Sequence, residues 1–335
     1  MNYKKDYVYF RRMKLGIIGT GRIAKRAVKE LGEVEGIRLH AVYNPNLSHA
    51  KEFARQAGGR ISATDDLDGF LDAVDAVYIA SPHESHYFYA KKALEGGIHV
   101  ICEKPMAFEE SRARELYAIA QSKNCVLMEA VKTAYCPGFK EIERVIESGT
   151  IGEVVDVEAA FTRLTSIGLR ELEDVKYGGA FTEFGTYTLL PIFRFLGTEY
   201  KEVVFNSVKA DTGVDGYTKV FLNYDESMVK MAQSKTGLTV KSEGQLLISG
   251  TKGYLIVPSP WWLTRYFEVR YEDPTIIKKY YCEFEGDGLR YEFGEFFKRV
   301  QEKGLMVSKD YELEMEEAIA RAGVFERFLK TRQML

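Results

Sequence analysis

Cysteine and histidine are scarce: the 335 residues hold four of the first and five of the second. Cys102, Cys125, Cys136 and Cys282 have neither C-x-x-C spacing nor an accompanying histidine pattern, so no zinc or other metal site is expected. Reduced, mostly buried thiols in a cytoplasmic protein are the reading. Long hydrophobic runs are absent too. No apolar stretch approaches the ~20 residues that cross a bilayer. Neither sign of charge dominates, and a net charge of −3 supplies no basic field for nucleic acid. Neither a membrane nor a nucleic acid is therefore expected as a partner. The opening MNYKKDYVYFRR carries charge without an apolar core, so it is not read as a secretory signal. Met13 begins a more natural domain start, MKLGII, which leaves residues 1–12 as an extension. Internal repeats, low-complexity tracts and a flexible linker are also missing. The length suits two domains, and they are expected to share a firm interface.

What is present up to about residue 130 is an alternation of strand and helix. KLGII (14–18), IRLHAVY (37–43), DAVYIA (75–80), HVICE (99–103) and CVLMEA (125–130) read as apolar strands, with RIS (60–62) as a short addition. Helical patterns lie between them: the stretch after GTGRIA, LSHAKEFARQAG, SPHESHYFYAKKALEGG and EESRARELYAIAQSKN. This order predicts right-handed βαβ units and a doubly wound parallel sheet covered on both faces.

Gly19, Gly21 and Ala24 form G-x-G-x-x-A between a strand and a helix. Alone that pattern is any tight turn; in this context it points to a dinucleotide. Gly19 permits the turn, Gly21 lets the backbone approach a pyrophosphate at the helix N-terminus, and Ala24 lets helix pack on strand. Gly19, Thr20, Gly21, Arg22 and Ile23 are assigned to the cofactor, with Asn44 at the end of the second strand. An acid there would bind the ribose diol of NAD and repel the 2′-phosphate of NADP. Asn44 does neither. Ser48, His49 and Lys51 follow, either within reach of a phosphate or at a solvated helix start. The cofactor is NAD or NADP, leaning slightly to NADP.

From about residue 153 the chain changes character. Long, aromatic-rich strands of alternating pattern run to residue 284, and two helices, 290–304 and 312–330, close it. This predicts a domain with a large, mostly antiparallel open sheet covered by helices on one side. The boundaries expected are 13–133 for the Rossmann domain and 134–335 for the second, with the C-terminal helices placed to pack back on the first.

IHVICEKPMA (98–107) joins these halves in function. A buried strand ends in Glu103 and Lys104, and Pro105 stops it, with a cis turn available. Ligands of open parallel sheets bind at that edge, so acid and amine meet a bound nicotinamide. Without further context a surface Glu–Lys pair would be the plainer reading.

GTGRIA, SPHESH, VICEKPMA and the Gly-Gly segment before an acid, Gly and Tyr together resemble the glucose–fructose oxidoreductase/inositol dehydrogenase (Gfo/Idh/MocA) family, from about residue 14 to 330. The resemblance implies an NAD(P)-dependent oxidoreductase acting on CH–OH carbons, with Lys104 beside nicotinamide and substrate and Glu103 a cofactor contact. It also implies cofactor contacts at Ser81, Pro82, His86 and Glu129, with His83 where relatives carry asparagine. In YGGAFTEFGTYTLLP (177–191) the family pattern is altered three times, to Glu183, Tyr187 and Leu190. The tyrosine resembles the branch with glucose–fructose oxidoreductase and dimeric dihydrodiol dehydrogenase. Tyr187 is accordingly expected as the acid/base, its pKa lowered by the Lys104 ammonium. Glu183 shares its helix face, and with Lys132 and Tyr135 it is a candidate substrate contact. Packing alone is the competing reading for Tyr187, as surface placement is for Lys132 and Tyr135.

His40, His49 and His99 read as structural. Trp261 and Trp262 suit a sugar-stacking wall or, more readily, burial at a subunit face. The expected reaction moves hydride between nicotinamide and a carbinol or carbonyl carbon of a small sugar, polyol or cyclic diol; a ring system other than a sugar is a weaker version. A non-catalytic NAD(P)-binding regulator is the rival. The open sheet face suggests a homodimer or homotetramer.

Overall fold

The computed structural model describes residues 12–224, 230–302 and 308–334; apart from Arg12, the extension read at 1–12 lies outside the described residues. The first sheet comprises β1 (Met13–Ile18), β2 (Ile37–Tyr43), β3 (Ser62–Thr64), β4 (Ala76–Ile79), β5 (His99–Glu103) and β6 (Leu127–Ala130). All pairs are parallel, in the order β3-β2-β1-β4-β5-β6. The strands are apolar throughout because helices cover both faces: Leu15, Ile17, Val77, Tyr78, Val100 and Ile101 are fully buried. Those helices are α1 (Arg22–Leu31), α2 (Leu47–Ala57), α3 (Leu67–Asp72), α4 (His86–Glu95) and α5 (Glu110–Ser122).

One boundary differs from the expectation. The helix read from Ser81 begins at His86, because Pro82 is extended (φ −60°, ψ 146°) and His83–Ser85 form only a 3₁₀ turn. The result is a free loop at the carboxyl end of β4, next to the glycine loop after β1. That is where the strand order reverses, and where open α/β sheets bind ligands.

A 3₁₀ turn at Lys132–Tyr135 and α6 (Pro137–Glu147) lead into the second sheet. Its strands are β7 (Val154–Thr162), β8 (Glu202–Lys209), β9 (Asp215–Asn223), β10 (Met231–Gly237), β11 (Leu246–Gly250), β12 (Tyr254–Val257), β13 (Tyr266–Arg270) and β14 (Ile277–Tyr281). They lie in the order β14-β13-β12-β11-β7-β10-β9-β8, antiparallel except for β7 with β10. Short α7 (Arg170–Glu173) and α8 (Ala180–Leu196) follow β7, and α8 lies across β7, β9 and β10. Val220 and Leu222 of β9 are buried, whereas Phe221 and its partner Val204 are exposed on the opposite face. Met231, Ile277 and Tyr281 share that open face by register.

The last helices, α9 (Leu289–Gln301) and α10 (Lys309–Met334), belong to both cores. Leu289, Phe293, Phe296 and Tyr311 join the first, and Val324, Phe325 and Phe328 the second. Buried ion pairs accompany them: Arg194 with Glu143 and Glu317, Arg299 with Glu314, and Arg321 with Glu129. No helix among the described residues is long and apolar enough to cross a membrane.

Candidate active site

The glycine loop is shaped for close approach on two sides. Gly19 has φ +105°, and a Cβ there would lie 2.5 Å from the Ala80 carbonyl oxygen, so the β1 and β4 loops touch only because the residue is glycine. Gly21 is the N-cap of α1, has no side-chain cap, and a Cβ on it would meet nothing within 4 Å. The first N–H groups of α1 therefore face open space, which fits a dinucleotide pyrophosphate. Gly21→Val is expected to weaken dinucleotide binding about tenfold or more with little change in melting temperature; titration and a thermal scan check both.

Around this loop the assigned residues divide. Asn44 donates through Nδ2 to Thr20 Oγ1 (2.9 Å), tying the end of β2 to the loop. Ile23 packs against the first core. Arg22 pairs with the buried Glu171 of the second domain. Ser81 accepts from the Ser85 hydroxyl (2.7 Å), and Pro82 is exposed on the same loop. His86 is fully enclosed, with Nδ1 2.9 Å from the Pro105 carbonyl and Nε2 2.9 Å from that of Ser81. Burial pushes its pKa down, so the neutral ring donates to one of the two. It fixes the loops instead of presenting itself to a ligand. His83 packs edge-on against it, ring centres 5.6 Å apart.

β5 delivers the polar centre. Glu103 accepts from the Tyr78 hydroxyl, and Lys104–Pro105 is a cis peptide. Lys104 is 8% exposed; its Nζ donates to the Glu183 carbonyl oxygen (2.9 Å), lies 3.6 Å from Glu183 Oε1 and stands 5.5 Å from the Tyr187 ring centre. The Gly-Gly pair explains how α8 reaches this point. Gly179 has φ +110°, and a Cβ on it would fall 1.9 Å from Asp215 Oδ1. Asp215 caps the helix instead, accepting from the Phe181 N–H (2.8 Å). One turn on, Glu183 and Tyr187 share the face toward Lys104.

Three expectations are corrected. The Tyr187 phenol is not acidified by Lys104: burial, then the charges of Glu103, Glu292 and Glu183, hold its pKa well above the ordinary range. It is a neutral phenol. Glu129 is not open to a cofactor, since Oε1 accepts from the Met106 N–H (2.9 Å) and Oε2 from Arg321 (2.7 and 3.0 Å). Tyr135 turns into the ion-pair network, donating to Glu314 (2.8 Å), and is no substrate contact. Lys132 is buried beneath the site, donating to the Asp287 carbonyl oxygen.

Trp261 lies inside the chain's own core, donating to the Ala160 carbonyl (2.9 Å), not at a subunit face. Trp262 stacks on Phe161 (3.6 Å between ring centres), whose ring lies 5.3 Å from that of Tyr187. Sequence reasoning missed Arg26, Asp215, Glu171, Asp287 and Glu292. Of these only Arg26 left a trace, one helical turn after Arg22. The four cysteines are unpaired, and no cluster of metal-binding side chains occurs among the described residues.

Comparison with known proteins agrees with this geometry. A family model described as "Oxidoreductase family, NAD-binding Rossmann fold" matches residues 13–131, and the "GFO/IDH/MocA C-terminal domain" matches residues 139–256. The scyllo-inositol 2-dehydrogenase (NADP(+)) IolU of Bacillus subtilis is 31% identical over 271 residues, covering 78% of this chain and 80% of that protein. The trans-1,2-dihydrobenzene-1,2-diol dehydrogenase of Xenopus laevis is 28% identical, over 93% and 98% of the two chains. Among solved structures, the 3-ketoreductase KijD10 of Actinomadura kijaniata, in complex with TDP-benzene and NADP, superposes with a TM-score of 0.78 at 22% identity, over 94% and 96% of the two chains, and shows the shared fold. By its two matched domains and its 31% identity to the Bacillus enzyme over 78% of its length, the chain belongs to the Gfo/Idh/MocA family of NAD(P)-dependent oxidoreductases.

Proposed function

We propose that this enzyme prefers NADP and transfers hydride to or from a ring carbon bearing a hydroxyl or carbonyl, in a cyclic polyol, sugar or cyclic diol. The observation that carries the reading is the meeting of Lys104 and Tyr187, from two different domains, at the carboxyl edge of the sheet beside the glycine loop.

The bound nicotinamide gives or takes the hydride. Gly21 and the N-terminus of α1 would hold the pyrophosphate. Lys104 places a positive charge on the reacting oxygen, and Tyr187 gives that oxygen its proton in reduction. With the phenol pKa raised, the acid form is fully populated at neutral pH and persists into alkaline solution. Reduction should therefore stay level as pH rises, whereas oxidation, which needs the phenolate to accept a proton, should speed up. Rate profiles in both directions check this.

Asn44 at the end of β2 supports the NADP preference, since no carboxylate there repels a 2′-phosphate, and α2 starts three residues later with its N-terminal N–H groups. The Bacillus relative carries NADP(+) in its name. Asn44→Asp should shift preference toward NADH by about tenfold, read from the two dissociation constants. The aromatic stack of Trp262, Phe161 and Phe184 beside the polar Lys104 and Glu183 suits a ring with hydroxyls at its edge. The exposed apolar side chains on the open sheet support a homodimer or homotetramer, and unpaired thiols support a cytoplasmic setting. NADPH deuterated at C4, incubated with ketones of cyclic polyols, sugars and diols, tests the reading. Deuterium on the product carbinol carbon is expected. Tight NADPH binding with no transfer across the whole panel would favour a non-catalytic sensor instead.

A further inference from the structure

A buried carboxylate links the two domains at the glycine loop. Glu171 of α7 is 7% exposed, and its Oε1 accepts from two guanidinium groups, one from each domain. One is Arg22 of the glycine loop, through Nη2; the other is Arg163, just past β7, at 3.5 Å. Arg163 by itself gives the buried carboxylate a counter-charge within the second domain, so the bridge to Arg22 is additional. Arg22 is the first residue of α1, and no acidic residue occupies that first turn. A guanidinium at the positive end of a helix is favourable when an anion stands beside it. Glu171 is that anion in the free protein, and a pyrophosphate on the N–H groups after Gly21 would be a second.

Glu171 is anchored from behind. Its carbonyl oxygen accepts from the Gly179 N–H (2.8 Å), and Leu172 beside it is buried in one cluster with Phe161 and Phe184. Arg332 of α10 secures the return of the chain, donating to the carbonyl oxygens of Val175 (3.0 Å), Lys176 (2.6 Å) and Gly178 (2.7 Å). The segment from Arg163 to Gly179 is therefore an arm of the second domain. It starts at the aromatic stack, where the Arg163 guanidinium lies 5.3 Å from the centre of the Phe184 ring, and it reaches the glycine loop at Arg22. Those are the two ends of the groove that a dinucleotide would fill, with the nicotinamide toward Lys104 and the pyrophosphate at Gly21. The arm makes two other contacts toward the first domain. Tyr177 stacks on Phe108 (4.9 Å between ring centres), and Arg170 stands 3.9 Å from Glu84, with both side chains exposed. Of these contacts, the Arg22–Glu171 pair is the one made by a residue of the pyrophosphate site itself.

Resting on the assignment of the glycine loop to a dinucleotide, we infer that Glu171 is a positioning residue for the cofactor. It holds the Arg22 guanidinium across the pyrophosphate, so the second domain clamps the bound dinucleotide and release waits for the Arg22–Glu171 pair to open. The pair uses Nη2 of a group with five N–H donors, and the rest of the fork suits a phosphate oxygen. Glu171 acts through Arg22 and does not touch the dinucleotide.

Stopped-flow mixing of NADPH with the full chain and its variants tests this without any substrate. Glu171→Gln should release NADPH about tenfold faster, the loss of one charge-assisted hydrogen bond. It should also bind NADPH faster, because the groove is no longer bridged, so the dissociation constant changes less than the release rate. A purely structural role would not raise both rates. Glu171→Asp should recover part of the slow release. In Arg22→Ala release is already fast, and adding Glu171→Gln should change it no further. Arg170→Ala should alter release by less than about twofold, since exposed ion pairs are worth little. A parental release rate in Glu171→Gln overturns the inference, as does the same acceleration with and without Arg22. Slower release from Glu171→Gln overturns it too, by making Glu171 a competitor of the phosphate. An Arg170→Ala as fast as Glu171→Gln would take the clamp away from Glu171. Should Glu171→Gln fail to fold, Arg22→Ala decides alone, since its side chain is 71% exposed and Glu171 keeps Arg163. Faster association than the parent's supports the clamp, and unchanged or slower association overturns it. A parent that binds no NADPH would overturn instead the assignment on which the inference rests.

Discussion

Tyr187→Phe is expected to lower turnover by roughly 10²–10⁴-fold, the range for removing a positioned general acid, while NADPH binds as before. The phenol's position leaves it no other evident task. It belongs to a half-buried side chain whose ring lies 5.5 Å from the Lys104 ammonium and 5.3 Å from Phe161. Phenylalanine keeps the ring, so packing between α8 and β7 survives and only the proton is lost. kcat in the reductive direction, measured with the NADPH dissociation constant, separates the two effects. A variant with parental kcat would move the proton to Lys104 or Glu183.

The largest stability effect is expected at Glu129. Its carboxylate bridges the Met106 N–H, just past the cis Lys104–Pro105 peptide, and the Arg321 guanidinium of α10. Both charged groups are almost wholly inaccessible. Removing one partner of a buried pair strands the other charge, at about 3–5 kcal/mol. Among the described residues Arg321 then keeps Glu317, 3.5 Å from Nη1. Glu129→Ala should therefore lower the denaturation midpoint strongly, and a loss below about 0.5 kcal/mol would show the network relaxing around the gap. Because both Glu129 oxygens are already engaged by Met106 and Arg321, a purified and folded Glu129→Ala should still bind NADPH.

Local features were legible in the sequence and long-range ones were not. Gly19 and Gly21 could be read because their chemistry depends on the strand before and the helix after. The apolar strands could be read because a parallel sheet buries both faces. The start of α4 was misplaced by a few residues because Pro82 extends the chain where an apolar-periodic pattern had suggested helix. The protonation state of Tyr187 was read in the wrong direction. It is set first by burial and then by Glu103, Glu292 and Glu183, which three separate segments bring together, and no spacing records that convergence. Glu129 and Tyr135 failed as ligand contacts for the same reason. Their partners, Arg321 and Glu314, arrive from a C-terminal helix that packs back on the first core. Gly178-Gly179 was noticed as a motif, but its cause, the close approach of Asp215, lay in β9.

The most direct test of the whole account is a fluorescence titration of the purified chain with NADPH and NADH. The glycine loop, the open Gly21 and Asn44 predict saturable binding of both, tighter for NADPH, and weakened for each by Gly21→Val. Failure of either dinucleotide to bind at millimolar concentration would contradict the account from GTGRIA onward.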